Sequence, residues 1–115
     1  MDFDLISDQE MVARQAREFQ RLWLADRLDE AHIEWDVVDS IVERWKAAGR
    51  MSEFLTPLLD HELTAVRYMA AVYLANQTHS ERSWEVMREI YGRTVPEDFV
   101  FRELARLSLM ENGRL

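Results

Sequence analysis

Val66-Arg67-Tyr68-Met69-Ala70-Ala71-Val72-Tyr73-Leu74 is answered 35 residues later by Phe101-Arg102-Glu103-Leu104-Ala105-Arg106-Leu107-Ser108-Leu109. The copies agree in kind at an apolar residue, an Arg, a second apolar residue, an Ala and a Leu. Apart from the Arg, those positions share one side of a helix of period 3.6. A shorter apolar segment precedes each copy. The match is good in these helices and loose in the ones before them. A repeat of this length predicts antiparallel helical hairpins stacked side by side, each burying what it cannot bury alone.

The rest of the chain reads the same way. Three Gly and two Pro in 115 residues are too few for an all-β chain, which needs turn signals about every 8–12 positions. Leu, Ala, Glu, Arg and Met dominate, all good helix formers. Ser7-Asp8-Gln9-Glu10 has the form of a capping box. It predicts a first helix to about residue 26, with Val12, Ala16, Phe19 and Trp23 inward and Met11 and Leu22 widening the stripe. A bend is expected over 28–32, then a second helix over 34–48 with Val38, Ile41, Val42 and Trp45 inward and Gly49 as its C-terminal cap. Residues 52–59 read as a short helix around Pro57, with Phe54, Leu55, Leu58 and Leu59 inward.

Thr64 is expected to cap a fourth helix over 65–76, apolar nearly all round, whose only charge is Arg67 and which belongs in the middle of the fold. Ser80 caps a fifth, with Trp84, Met87, Ile90 and Tyr91 inward. Pro96 opens a sixth, with Glu97 and Asp98 in its first turn. There Phe101, Leu104, Ala105 and Ser108 face inward, Leu107 and Leu109 flank them, and Asn112-Gly113 ends the helix. The expectation is one all-α domain over residues 1–115, about six helices in stacked antiparallel hairpins.

The run from Leu55-Thr56-Pro57-Leu58-Leu59-Asp60-His61 through Val66-Arg67 to Ala70-Ala71 and Leu74 resembles a HEAT repeat. That family's hairpin shows paired leucines, an Asp at the turn, then Val-Arg and small residues where helices approach closely. The second copy keeps Arg102 but has Phe101 for Val and Arg106 where Ala71 stands. From Val12 to Leu74 the layout also resembles a small bacterial HEAT-like family, domain of unknown function 2019, through Leu58-Leu59-Asp60-His61 and Val66-Arg67-Tyr68-Met69-Ala70-Ala71. The resemblance implies a HEAT/armadillo-like right-handed superhelix. It brings no catalytic residues, and a fold alone does not assign a function.

Composition narrows the function. Hydrophobic residues make up 48%, with four Trp, three Tyr and five Phe to fill a core. The absence of Cys excludes disulfides, thiolate metal sites and Cys nucleophiles. Met1-Asp2-Phe3-Asp4-Leu5 is acidic where a secretory signal is basic, and no apolar run reaches the ~18 residues that span a bilayer. A cytoplasmic protein is expected. The formal charge of −8 lies wholly in the first half, where residues 1–62 carry 15 acids and 7 bases, against seven of each in 63–115. Such a field repels nucleic acid and anionic membrane and steers a basic partner in.

Seven acids stand between positions 26 and 43, Asp26, Asp29, Glu30, Glu34, Asp36, Asp39 and Glu43, against Arg27 alone. Asp36, Asp39 and Glu43 share a helix face opposite Val38, Ile41 and Trp45, at a cost of about 0.2–0.5 kcal/mol per like-charged pair. Either this is a solvated face or it binds a basic protein, and the concentration of the cost favours binding. The candidate residues are Asp29, Glu30, Glu34, Trp35, Asp36, Asp39 and Glu43. Trp35 is either an aromatic anchor among them or packs under the bend at Leu28.

Other constellations read as structural. Asp60, Glu62 and Arg67 invite a reading as an ion-pair switch. The structural reading is better, because HEAT-like hairpins use the turn Asp and the following Arg to tie neighbouring helices together. His32, His61 and His79 show no His-Glu-x-x-His spacing. His32, Glu34 and Asp36 offer donors in what reads as a turn, which is ordinarily just solvated, and no metal or cofactor is expected. Ser80 between His79 and Glu81 is a helix cap and no nucleophile. An enzyme is not expected. The function these features favour is an acidic immunity protein that neutralises a basic bacterial toxin by direct binding. The alternative is a general adaptor or subunit-contact module that uses apolar residues outside the stripes, such as Leu24, Tyr68 and Phe99.

Overall fold

Val12, Ala16, Phe19 and Leu22 form the buried stripe of the first helix, α1 (Leu5–Leu24), in a computed structural model that describes residues 5–78 and 80–115. The remaining helices are α2 (Leu28–Ala47), α3 (Met51–Leu55), α4 (Thr64–Thr78), α5 (Glu81–Tyr91) and α6 (Phe99–Glu111). Short 3-10 helices at Thr56–Asp60 and Pro96–Asp98 lead into α4 and α6, and no strand occurs among the described residues. The chain divides into two compact units, one ending at Phe54 and one spanning Leu55–Leu115.

The first unit is built on α1 packed against α2. Ala31, Val38, Ile41, Val42 and Trp45 are the buried face of α2. Burial of the larger of these side chains contributes about 1.5–3 kcal/mol each. Trp45 is fully buried, its ring edge-on to Phe54 at 5.5 Å. Its Nε1 donates to Asp8 Oδ2 at 3.2 Å, and Arg44 donates to Oδ1 of the same carboxylate at 3.0 Å. Ser7 lies within α1, described from Leu5 onward, so the helix does not start at the expected capping box. Asp8 serves instead as the polar tie from α1 to the far end of α2.

The bend expected over 28–32 is helix. α1 ends with Asp26 in the left-handed region (φ 61°), where its N–H donates to Trp23 O and that of Arg27 to Leu22 O. This doubly bonded stop turns the chain within three residues. α2 then starts at once on Leu28, with Asp29 and Glu30 in its first turn. Arg27 in the N-cap position offers no capping side chain, so the sequence carries no conventional start signal there. Gly49 (φ 71°) closes α2 by the same pair of bonds, its N–H to Lys46 O and that of Arg50 to Trp45 O.

In the second unit α4, α5 and α6 all touch one another, and the first 3-10 helix packs on α4. The repeat is visible here: Val66, Ala70 and Leu74 of α4 and Phe101, Ala105 and Leu109 of α6 are all buried. Leu109, expected to flank its helix, is fully buried, while Leu104 and Ser108 are half-buried. Thr64 is the first helical residue of α4, and its hydroxyl is used tertiarily, donating to the buried Asp98 Oδ2 at 3.0 Å. Arg93 Nε donates to the same oxygen at 3.0 Å, and Arg67 donates to Thr64 Oγ1 at 3.1 Å. Ser80 caps α5 as expected, accepting from the Ser83 N–H.

Candidate functional site

Starting α2 at Leu28 brings Asp29 into register with Asp36 and Glu43. Residues seven apart on an α-helix stay within about 40° of one another over two such steps. The three carboxylates therefore line one strip, turned away from Val38, Val42 and Trp45. All three are exposed, and none forms an ion pair among the described residues. Asp39 and Trp35, both half-buried, border the strip on one side. Seven residues are about 10.5 Å of helix, near the Debye length of about 8 Å at physiological salt. Mutual repulsion along the strip is thus mild, while its field adds up for an approaching cation.

The other candidates lie elsewhere on the helix. Glu30 and Glu34 are rotated to the opposite flank. Glu30 is paired with Arg27, and Glu34 is half-buried. Asp26, Arg27, Leu28, Asp29 and Glu30 line a shallow groove of about 330 Å³ at the α1–α2 corner. Trp35 stands edge-on to Phe19 at 5.0 Å, and Phe19 in turn lies 5.5 Å from Trp23. α1 therefore braces the indole. Arg44, which follows the strip's last acid in sequence, is held by Asp8.

The remaining constellations separate. Two-residue steps on a helix turn side chains about 200° apart, so Glu34 points away from His32 and Asp36. Trp23 lies 6.2 Å from the His32 ring. His61 Nδ1 accepts from the Leu63 N–H at 3.0 Å, within a turn. His79 lies outside the described residues. Glu81 pairs with Arg114 at 3.0 Å. Asp60 and Arg67 do not meet: Asp60 pairs with Arg82 of α5 at 2.9 Å. Arg67 donates to the carbonyls of His61 and Glu62 at 2.8 and 3.0 Å, and so clamps the turn before its own helix. Among the described residues no group of three or more His, Asp or Glu is placed to hold a metal ion.

Of the apolar residues singled out for an adaptor role, Leu24 and Phe99 are exposed, whereas Tyr68 is buried with its ring 5.7 Å from Phe101. Among the described residues no helix is long and apolar enough to cross a membrane. No family model, no curated protein and no solved structure matches this chain.

Proposed function

We propose that this chain is a non-catalytic protein-binding module that captures a basic partner on the acidic strip of α2. Most specifically, it is a cytoplasmic immunity protein that neutralises a bacterial toxin. The observation that carries the reading is the strip itself: Asp29, Asp36 and Glu43 are exposed, aligned and free of ion pairs among the described residues. A helix that needed its charges only for hydration would lose nothing by pairing them, as Glu30 does with Arg27. Trp35, held upright by Phe19 beside Asp39 on the same flank, is the aromatic anchor. Glu30 and Glu34, on the other flank, contribute only to the long-range field.

The HEAT-like reading belongs to the same proposal. It is supported by inner stripes buried at matching positions 35 residues apart in α4 and α6. Rigid stacked hairpins of this kind hold a charged helix face in fixed register, which suits electrostatically steered capture.

The test is a low-salt pull-down with the wild-type chain and with Asp29→Lys/Asp36→Lys/Glu43→Lys, each captured protein being identified and its association rate measured. The expected result is a basic protein that the wild type captures, with association slowed about tenfold or more in the variant and by added salt. Growth rescue on co-expression with that protein would identify it as a toxin. Equal association by wild type and variant at low salt overturns the proposal.

A further inference from the structure

α4 and α6 share an inner stripe, but the neighbouring face is covered on one and bare on the other. On α4 that face is Thr64, Tyr68, Ala71 and Ala75, all buried. Thr64 and Tyr68 meet the head of α6 through Asp98 and Phe101. The positions 35 residues on are Phe99, Glu103, Arg106 and Met110. There Phe99 is 45% exposed, Met110 is 49% exposed, and Glu103 and Arg106 pair only with each other among the described residues. The surface by which α4 receives another helix thus recurs on α6 without one.

The chemistry of that face selects its occupant. Steps of four, three and four residues make a heptad seam, apolar at its ends and carrying one acid and one base between them. We propose that a second copy of the chain docks here, with the two α6 helices antiparallel about a two-fold axis. In that arrangement Phe99 meets the partner's Met110, and Glu103 meets the partner's Arg106, with the same contacts repeated across the axis. A parallel pair sets Glu103 against the partner's Glu103, and a uniformly charged partner leaves one of the two charges opposed. An inverted copy satisfies all four positions at once.

α6 is about 20 Å long. One such helix pair buries less than the roughly 1,200 Å² of a standard interface, which makes the dimer transient, with a dissociation constant of roughly tens to hundreds of micromolar. Sedimentation equilibrium of the full chain, from about 10 μM to about 1 mM, reads this directly. Glu103→Arg or Arg106→Glu alone is expected to weaken dimerisation about tenfold, and the two together to restore it to within about twofold. Phe99→Ser/Met110→Ser abolishes it. All four side chains are at least partly exposed, and an unchanged circular dichroism spectrum checks that each variant folds. A wild type monomeric throughout, single reversals without effect, or a double reversal that fails to restore the dimer would each overturn the proposal.

Discussion

α4 and α6 begin from the same inner pattern and end in opposite surroundings. Ala70 and Ala105 let each helix approach its neighbours closely, and Leu74 and Leu109 close each stripe, all four buried. At the positions between, Tyr68 and Ala71 are buried on α4, while their counterparts Glu103 and Arg106 form an ion pair on the surface of α6. The inner stripe fixes that each helix packs. The second face decides whether it packs on one side or two, and residues that accept a neighbour are thereby separated from residues that accept water.

The sharpest way to break this comparison is to exchange the residues at its most divergent position. Ala71→Arg forces a guanidinium into a fully buried site and is expected to cost on the order of 5 kcal/mol, enough to leave the second unit unfolded. Arg106→Ala, at the equivalent place, removes one end of an exposed pair and should cost under about 1 kcal/mol in dilute solution. Urea denaturation measures both, and comparable losses would refute the equivalence. Next in size, Phe101→Ala empties a fully buried site and should cost about 3–5 kcal/mol. Leu74→Ala on α4 falls in the about 2–5 kcal/mol range for its type.

How far this was legible in the sequence depends on the reach of each interaction. The stripes of α4 and α6 and the Ser80 cap follow from neighbours three or four residues away, and the helical period alone reveals them. Leu109 reads as a flanking residue beside Phe101, Leu104, Ala105 and Ser108, yet it is fully buried. Its match to Leu74 at the repeat spacing was the signal for that burial. The start of α2 escaped because the turn before it rests on Asp26 in the left-handed region and on backbone bonds, where no Gly and no capping side chain marks it. The alignment of Asp29 with Asp36 and Glu43 escaped with it. Asp98 read as an ordinary first-turn acid, and its buried bond to Thr64 joins residues 34 positions apart, which no local pattern encodes.

The repeated arginines sharpen the comparison at smaller scale. Arg67 is half-buried and donates to two turn carbonyls and the Thr64 hydroxyl. Arg102 is exposed, donates once to Tyr91 O, and lies over the rings of Tyr91 and Phe99. Arg67→Ala removes three hydrogen bonds from a partly buried turn and should cost about 2 kcal/mol, Arg102→Ala about 0.5–1 kcal/mol. Thermal unfolding of the two variants side by side measures the difference, and an inverted order would mean that the turn before α4 does not depend on its clamp.

A similarly small effect is expected at Tyr68, and it is the one tied to pH. Burial beneath Phe101 pushes its phenol above the ordinary value near 10, and a hydrogen bond with Ser108 of α6 only partly opposes that shift. A raised folded-state pKa means that the unfolded chain gives up this proton first. The stabilisation is therefore complete below about pH 10 and is lost as pH climbs through the folded value. Tyr68→Phe should cost about 1 kcal/mol or less at neutral pH, through the lost hydrogen bond, and should flatten the decline in stability above pH 10. Glu103, its counterpart on α6, has its carboxyl pulled below the ordinary range by the hydrogen bond from Arg106, so any pH dependence there runs the other way, present above about pH 4.5 and fading as acid is added. Denaturation midpoints of wild type and Tyr68→Phe, followed from pH 8 to 11, decide the point. Parallel curves would mean that the phenol is hydrated in the folded chain, and that the covered face of α4 is open where α6 should close it.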